Sequence, residues 1–309
     1  MSTKQTFNKD RKLDKRKLDP SEIQQNFNNL SIKLLCCRYW MLDEWEWNDL
    51  SVPFWRLYYN SLPGAEIVYE KTLTSLGKDS IILIPPHTSF STHLKSGLTG
   101  SARERVSGRK MGKTDSLQLM MNMGKIDHLF IHFNLGFPHD YVRTQIYSMA
   151  CTTYLLEYIK CIKEYCLKDS DLFPFLECLK IQELITHVLL ELPESIWEAR
   201  KLDNRINNTI QFIIAHLPEK LSNEMLAERI NMATNSFSRL FKVNIGMSVQ
   251  QYILKKKVEL SCNLIHHSND SIDELAYVCG FSDRLHFTKT FKHVTGITPT
   301  IYKKQFILM

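Results

Sequence analysis

Residues 271–296 read SIDELAYVCGFSDRLHFTKTFKHVTG, and residues 223–246, NEMLAERINMATNSFSRLFKVNIG, are an earlier copy of the same pattern. Leu226 and Ala227 return 49 positions later, and Phe237, Phe241, Lys242 and Gly246 return 50 positions later. Each copy therefore predicts a short helix, a tight turn and a second helix that ends at a glycine.

Each copy is expected to fold as a helix-turn-helix unit. Ala227 and Ala276 are small enough to let the two helices cross closely, and Asn231 and Gly280 tolerate positive φ at the turn. The second helix of each unit then presents a polar outer face. The candidate DNA contacts on these faces are Asn235, Ser238, Arg239 and Lys242 in the first unit and Arg284, Leu285, Thr288, Lys289 and Lys292 in the second. Such residue types reach base edges and phosphates from a helix in the major groove. Leu285 cannot form a hydrogen bond with a base, so we expect either an apolar contact there, such as with a thymine methyl, or no base readout.

The charge of the chain is unevenly distributed. The 309 residues carry a formal net charge of +6, with +4 in residues 1–33, −3 in residues 34–204 and +5 in residues 205–309. A basic C-terminal third favours a polyanionic partner. The helix predicted at 248–266 carries a lysine triplet at 255–257 and would hold the two recognition helices about one DNA turn (roughly 34 Å) apart. We therefore expect double-stranded promoter or operator DNA as the partner.

The first half of the chain has a residue pattern that is typical of a β domain. Aromatic and β-branched segments at 53–60, 65–73, 79–90 and 125–135 are separated by turn signals, which predicts the short strands of a sandwich or small barrel. The polar stretch 95–124 is expected to be a surface loop.

The pattern changes after Pro138. Apolar residues at spacings of three and four predict amphipathic helices at 140–167 and 173–192. The predicted domains are a basic flexible tail at 1–33, a β sensor domain at 34–137, a helical connector or dimerisation segment at 138–202, and a helical DNA-binding domain at 203–309.

The stretch from Ser271 to Tyr302 resembles the DNA-binding domain of the AraC/XylS family of bacterial transcription regulators, and the resemblance extends over 209–306. The positions that carry it are Ala276, Gly280, Phe281, Asp283, Phe287, Phe291, Lys292, Gly296 and Pro299. Ala233 departs from the family, which commonly has a capping Ser there, so Thr234 is expected to cap the second helix. Lys257 and Ser261 replace a common Arg and Ala on the linker helix.

The resemblance implies a fold of mixed class with two domains. A cupin-like β-barrel with accessory helices comes first, and an all-α domain with two helix-turn-helix units joined by a linker helix follows. It also implies a transcription regulator that responds to a small-molecule effector, with a sugar as one class, and that has RNA polymerase and a second copy of the chain as partners. The expected effector-binding residues are Trp55, Arg56, Tyr58, Tyr69, His87 and Phe90, each with a plain core role as its alternative.

Two other classes of function compete with this interpretation. The main alternative is a DNA-binding adaptor or architectural protein whose β domain binds a protein partner. An enzyme is not expected, because the sequence has no His-x-His pair, no G-x-S-x-G motif and no phosphate-binding glycine loop. His128 and His132 share a strand face, but we expect a structural role for them. No catalytic residue, metal or cofactor is therefore predicted.

The location of the chain is expected to be cytoplasmic. No apolar run approaches the roughly 20 residues that span a bilayer, and the polar N-terminal stretch is not typical of a secretory signal. The eight cysteines include no C-x-x-C pair and are expected to be reduced core residues. A membrane partner is therefore not expected.

Overall fold

The computed structural model describes residues 31–95, 105–168, 172–197 and 203–306. Most of the predicted basic tail, up to residue 30, lies outside the described residues. Within them, an antiparallel β domain with accessory helices precedes an all-helical domain, which confirms the predicted two-domain fold class.

The β domain is a nearly closed antiparallel barrel. Its strands are β1 (Lys33–Leu50), β2 (Trp55–Tyr59), β3 (Ala65–Tyr69), β4 (Thr72–Leu76), β5 (Ser80–Ile84), β6 (Phe90–Leu94), β7 (Arg105–Lys110), β8 (Ile126–Asn134) and β9 (Tyr147–Ala150). The strand order is β4-β3-β6-β1-β8-β2-β5-β9, and β7 also pairs with β1. The long strand β1 thus belongs to both sheets of the barrel and joins them.

Three local predictions in this half are wrong. The stretch 95–124 is not a plain loop, because β7 and the helix α1 (Leu117–Asn122) lie in it. The predicted helix at 140–167 begins only at residue 153, since Tyr147–Ala150 form an edge strand that pairs with β5. The segment 79–90 is not one strand, because β5 ends at Ile84, a turn follows, and β6 begins only at Phe90. At β7 and β9, pairing with a distant strand overrides the local apolar spacing.

Ten helices lie in the described residues. After α1 come α2 (Thr153–Cys166), α3 (Phe175–Leu190), α4 (Asn204–Ala215), α5 (Asn223–Glu228), α6 (Thr234–Ile245), α7 (Val249–His267), α8 (Ile272–Val278), α9 (Arg284–Thr295) and α10 (Pro299–Phe306), with a 3₁₀ turn at Glu194–Trp197. Within these ranges, none of the helices combines the length and the apolar character that crossing a bilayer requires.

The sheet formed by β1, β8, β2 and β5 is buried on both faces. Its outer face packs under α2 and α3 through an apolar cluster that includes Trp55, Leu129 and Ile185. Its inner face packs into a second apolar cluster. This cluster contains barrel residues such as Tyr58 together with apolar residues of α7, α8, α9 and α10. Because both faces of this sheet are buried, the sequences of β2 and β8 are almost continuously apolar.

The two helix-turn-helix units are α5–α6 and α8–α9. Their turns contain Asn231 with φ 52° and Gly280 with φ 70°, as the sequence predicted. The paired phenylalanines of α6 and α9 are fully buried, and Gly246 and Gly296 end these helices in the left-handed conformation. One capping prediction is wrong: α6 begins at Thr234 itself, and Ala233 occupies its N-cap without a side-chain hydrogen bond.

Gly280 offers a test of how the second unit docks. A Cβ atom at this position would lie 2.1 Å from the carbonyl oxygen of Pro218, in addition to the strain of a positive φ. Gly246 has φ +83° but nothing within 4 Å of an added Cβ atom. We predict that Gly280→Ala lowers the free energy of unfolding by about 3 kcal/mol or more, against about 1 kcal/mol for Gly246→Ala. Urea denaturation followed by circular dichroism measures both, and equal losses would contradict the backbone clash.

A buried histidine in the barrel makes the stability depend on pH. His128 on β8 is 3% exposed, and its Nδ1 lies 2.8 Å from Oδ1 of Asn60. Burial lowers the pKa of His128 to about 3, whereas an unfolded chain titrates near 6.5. Between these values the unfolded chain takes up a proton that the folded chain does not. The contribution of His128 is therefore complete above about pH 6.5 and is lost as the pH falls.

We predict that His128→Gln, which does not titrate, flattens this dependence. The slope of the unfolding free energy below pH 6.5 should fall by about 1.4 kcal/mol per pH unit relative to the wild type. Urea denaturation at pH 7.5, 6.0 and 5.0 provides the measurement. Gln118→Ala, a non-titrating substitution at an exposed position of α1, serves as the control and should keep the wild-type slope.

Candidate DNA-binding face and effector cavity

The nine predicted DNA contacts lie on the outer faces of α6 and α9. Seven of them are exposed, and Ser238 and Thr288 are half-buried. The faces are outward because Phe237 and Phe241, or Phe287 and Phe291, occupy the inner stripe of each helix. The two helices therefore present hydrogen-bonding and cationic side chains on their outer faces, as contact with base edges and phosphates would require.

Two of these side chains already have polar partners. The Nη1 of Arg284 donates to Oδ2 of Asp273 across 2.9 Å, and the hydroxyl of Ser238 accepts from Nδ2 of Asn223 at 3.4 Å. Both residues of the Arg284 pair are largely exposed, so the pair is weak and can be exchanged for a base or a phosphate.

Two lysines of the triplet on α7, Lys256 and Lys257, face neighbouring elements and not solvent. Lys257 is buried, and its Nζ donates to the carbonyl oxygen of Gly280 at 2.6 Å, which ties α7 to the turn of the second unit. The Nζ of Lys256 donates to Glu259 at 2.8 Å and lies 4.2 Å from the ring centre of Tyr141. These two lysines hold the linker helix in place between its neighbours.

A cavity of about 50 Å³ lies inside the barrel. The residues that line it are Cys36, Arg38, Trp40, Leu42, Trp45, Trp47, Leu50, Val52, Phe54, Arg56, Tyr58, Val106, Ser107, Gly108, His128, Phe130, His132 and His266. Most come from β1, β2 and β8, whose inner faces are aromatic, and His266 comes from α7. The linker helix of the DNA-binding domain therefore forms part of the cavity wall.

Arg56 is a buried cation in this cavity. It is 1% exposed, its Nη2 donates to the carbonyl oxygen of Thr88 at 3.1 Å, and its guanidinium stacks 4.4 Å from the ring centre of Phe90. The hydroxyl of Tyr58 also interacts with the guanidinium, but among the described residues Nε and Nη1 have no partner at full hydrogen-bond geometry. Burial lowers the pKa of Arg56 to about 10, which leaves the group charged at neutral pH. A buried guanidinium without a counter-ion is costly, and an anion in the cavity would relieve that cost.

The structure separates the predicted effector residues into groups. Arg56 and Tyr58 line the cavity together, and Phe90 lies beneath Arg56. Trp55 points to the outer face of the sheet, where its Nε1 donates to Asp140, because side chains alternate along a strand. Tyr69 and His87 line separate surface grooves, so these three residues lie away from the cavity.

Sequence reasoning missed most of the cavity wall. Cys36, Arg38, Trp40 and Leu42 alternate along β1 and all face inward, and this period of two was a usable signal. His132 and His266 had no such signal. They meet because β8 and α7 are brought together by tertiary contacts.

The comparisons with known proteins agree on the C-terminal domain. A family model described as a helix-turn-helix domain matches residues 226–305. The HTH-type transcriptional activator RhaS of Escherichia fergusonii is 31% identical over 97 residues, which cover 31% of this chain and 35% of that one. The match thus spans about a third of the length of that relative.

Two solved structures are also similar to parts of the fold. The AraC-type DNA-binding domain-containing regulator from Chromobacterium violaceum is 25% identical, over 33% of this chain and 91% of that chain, with a TM-score of 0.32. ToxT from Vibrio cholerae covers 88% of this chain and 98% of that chain at 11% identity, with a TM-score of 0.47.

The family match begins at Leu226 in α5 and extends through the second helix-turn-helix unit, so it covers most of both copies of the duplicated pattern. The C-terminal domain of this chain therefore contains a helix-turn-helix domain, and it is similar in sequence to the regulator RhaS.

Proposed function

We propose that the chain is a sequence-specific, DNA-binding transcription regulator controlled by a small carboxylic acid in its barrel. The observation that supports this proposal best is the double role of α7. The same helix connects the two helix-turn-helix units and contributes His266 to the wall of the cavity. A ligand that changes the packing of this wall also changes the support of both recognition helices.

The further partners in this proposal are RNA polymerase and a second copy of the chain. RhaS, which the DNA-binding domain resembles, is named as a transcriptional activator, and an activating role for this chain would make RNA polymerase its partner at the promoter. The helix α3 exposes Phe175, Leu176 and Leu179 on its first turns, with 78% exposure at Phe175. An apolar stripe of this kind favours a contact between copies, and light scattering measures the resulting mass.

Arg239 provides the test of base reading, because it is exposed on α6 and has the bidentate geometry that recognises guanine. Binding sites are selected from random duplexes with the full-length chain. We expect Arg239→Ala to weaken binding to the selected site by about 1–3 kcal/mol, roughly 5- to 150-fold, and to relax base preference at one position.

The control for this test is Lys160→Ala on α2. It removes the same charge from an exposed position of the other domain and should leave the affinity within about twofold. If Arg239→Ala keeps both the affinity and the base preference, α6 does not read bases in the proposed way.

The chemistry of the cavity favours an acid over a sugar. The wall is mainly aromatic and aliphatic, and its buried guanidinium lacks a counter-ion among the described residues. A carboxylate would form charge-assisted hydrogen bonds with Nε and Nη1, and an apolar body would pack on the aromatic rings. The volume of about 50 Å³ accommodates about four water-sized groups, so the acid is compact.

The effector class is tested by thermal unfolding of the full-length chain with acetate, butyrate, hexanoate and benzoate, each beside its uncharged amide. We expect at least one acid to raise the unfolding temperature while its amide does not. Arg56→Met should stabilise the ligand-free chain, because it removes a buried unpaired charge, and should abolish the response to acids.

Arg109→Met is the matched control, because Arg109 is an exposed arginine whose ion pair with Asp115 lies outside the cavity. It should retain the response. Stabilisation by sugars instead of acids would identify the sugar class. If neither the acids nor the sugars raise the unfolding temperature and a pull-down yields a stable protein partner, the result would favour the alternative function of a DNA-binding adaptor.

A further inference from the structure

Three metal-binding side chains meet where the barrel contacts α7. Cys36 on β1 and His132 on β8 are directly paired across the sheet, and His267 is the last residue of α7. Their potential ligand atoms, a thiol sulfur and two imidazole nitrogens, all lie within 4.8 Å of one another. From this geometry we infer a transition-metal site, of the class that binds Zn²⁺, that joins the barrel to the DNA-binding domain.

The imidazole of His267 is oriented for metal binding. Its Nδ1 lies 2.6 Å from the carbonyl oxygen of Asn263 and must donate to it, so Nε2 carries the free lone pair. This Nε2 lies 3.1 Å from Nδ1 of His132. Two imidazole nitrogens that bind one tetrahedral zinc ion at about 2.0–2.1 Å are about 3.3 Å apart. The rings thus already have the required spacing, with a carbonyl as the outer-shell partner.

The ligand set selects the ion. One thiolate and two imidazoles suit borderline-soft ions such as Zn²⁺ and Co²⁺ and leave a fourth position for water or an anion. Arg38 on β1 and Arg56 on β2 face the same interior, Arg56 as the cross-strand neighbour of His132. These two cations oppose a divalent ion, so the negative charge of the Cys36 thiolate is essential. Binding releases the thiol proton of Cys36 to solvent.

An ion can reach the cluster from outside. A groove of about 550 Å³ is lined by residues that include Cys36, Arg38, Lys110 and His267, and Cys36 also lines the inner cavity. The cluster therefore lies between the groove and the interior, which provides the entry path that a metal site needs.

The competing interpretation is a plain hydrogen bond from Nδ1 of His132 to Nε2 of His267. That bond does not involve the sulfur of Cys36, whereas a metal ion requires it. The role of the thiol therefore separates the two interpretations.

The test uses the full-length chain, purified with a chelator and a phosphine reductant and then titrated with Co²⁺. We expect 1:1 binding with the visible bands of tetrahedral Co²⁺ and a thiolate-to-cobalt charge-transfer band, both removed by Zn²⁺. Cys36→Ser should abolish the charge-transfer band and weaken binding at least 100-fold. His132→Gln and His267→Gln should each weaken it at least 10-fold.

Cys37→Ser is the matched control. Cys37 is the next residue of β1, and its Sγ lies 3.8 Å from Sγ of Cys166, away from the cluster. This variant should keep the band and the affinity. Absence of 1:1 binding, or a band that survives Cys36→Ser, overturns the proposed site.

Hydrogen exchange tests the joining of the two domains. Zn²⁺ should slow amide exchange in β1, in β8 and in the last turn of α7, and His267→Gln should remove the protection of α7. Protection confined to the strands would overturn the link. Any effect of Zn²⁺ on DNA affinity rests on the proposed function, whereas metal binding and exchange do not, so the two proposals can fail separately.

Discussion

The burial of α7 against the barrel is the contact on which the rest of the structure depends. Val258, Cys262 and Ile265 of this helix share one apolar core with barrel residues and with the second helix-turn-helix unit. The first unit has a separate core built from α4, α5, α6 and the start of α7. A change in the barrel therefore reaches the second recognition helix through continuous packing, and reaches the first through the helix axis of α7.

The carboxylate of Glu259 is well compensated at this contact, in contrast to the guanidinium of Arg56 in the cavity. Glu259 on α7 accepts hydrogen bonds from Lys256 and from the hydroxyl of Tyr141, and its carboxylate lies 3.7 Å from Nε2 of His87. Burial acts to raise the pKa of Glu259, but the nearby charges of Lys256, His87 and Lys255 and the hydrogen bond from Lys256 lower it below its usual value. The carboxylate of Glu259 has several cationic partners, whereas the guanidinium of Arg56 has no acidic one among the described residues. Because charged groups are rarely buried without a partner, this difference favours an anionic ligand at Arg56.

Sequence reasoning succeeded where structure is local. The duplicated units were predictable because turn residues and apolar spacing are fixed within about 25 positions, and Asn231 and Gly280 have the predicted positive φ. The barrel strands were predictable only where they are apolar. The charged and aromatic β1 was missed, although the alternation along it was a usable signal. Which residues of β8 and β2 lie beside its inward face could not be deduced, because that depends on the register of strands that are far apart in the chain.

The register of β1, β8 and β2 also places the two proposed ligand sites next to each other. Cys36, His132 and Arg56 form one cross-strand row on the inner face of the barrel, so an anion at Arg56 and an ion at the cluster would be close neighbours. A carboxylate there would offset the positive charge that Arg38 and Arg56 direct at the cluster, and would therefore favour the metal ion. Linkage makes this effect reciprocal, since the ion favours the carboxylate by the same factor. The barrel would then respond to the pair of ligands more strongly than to either one alone.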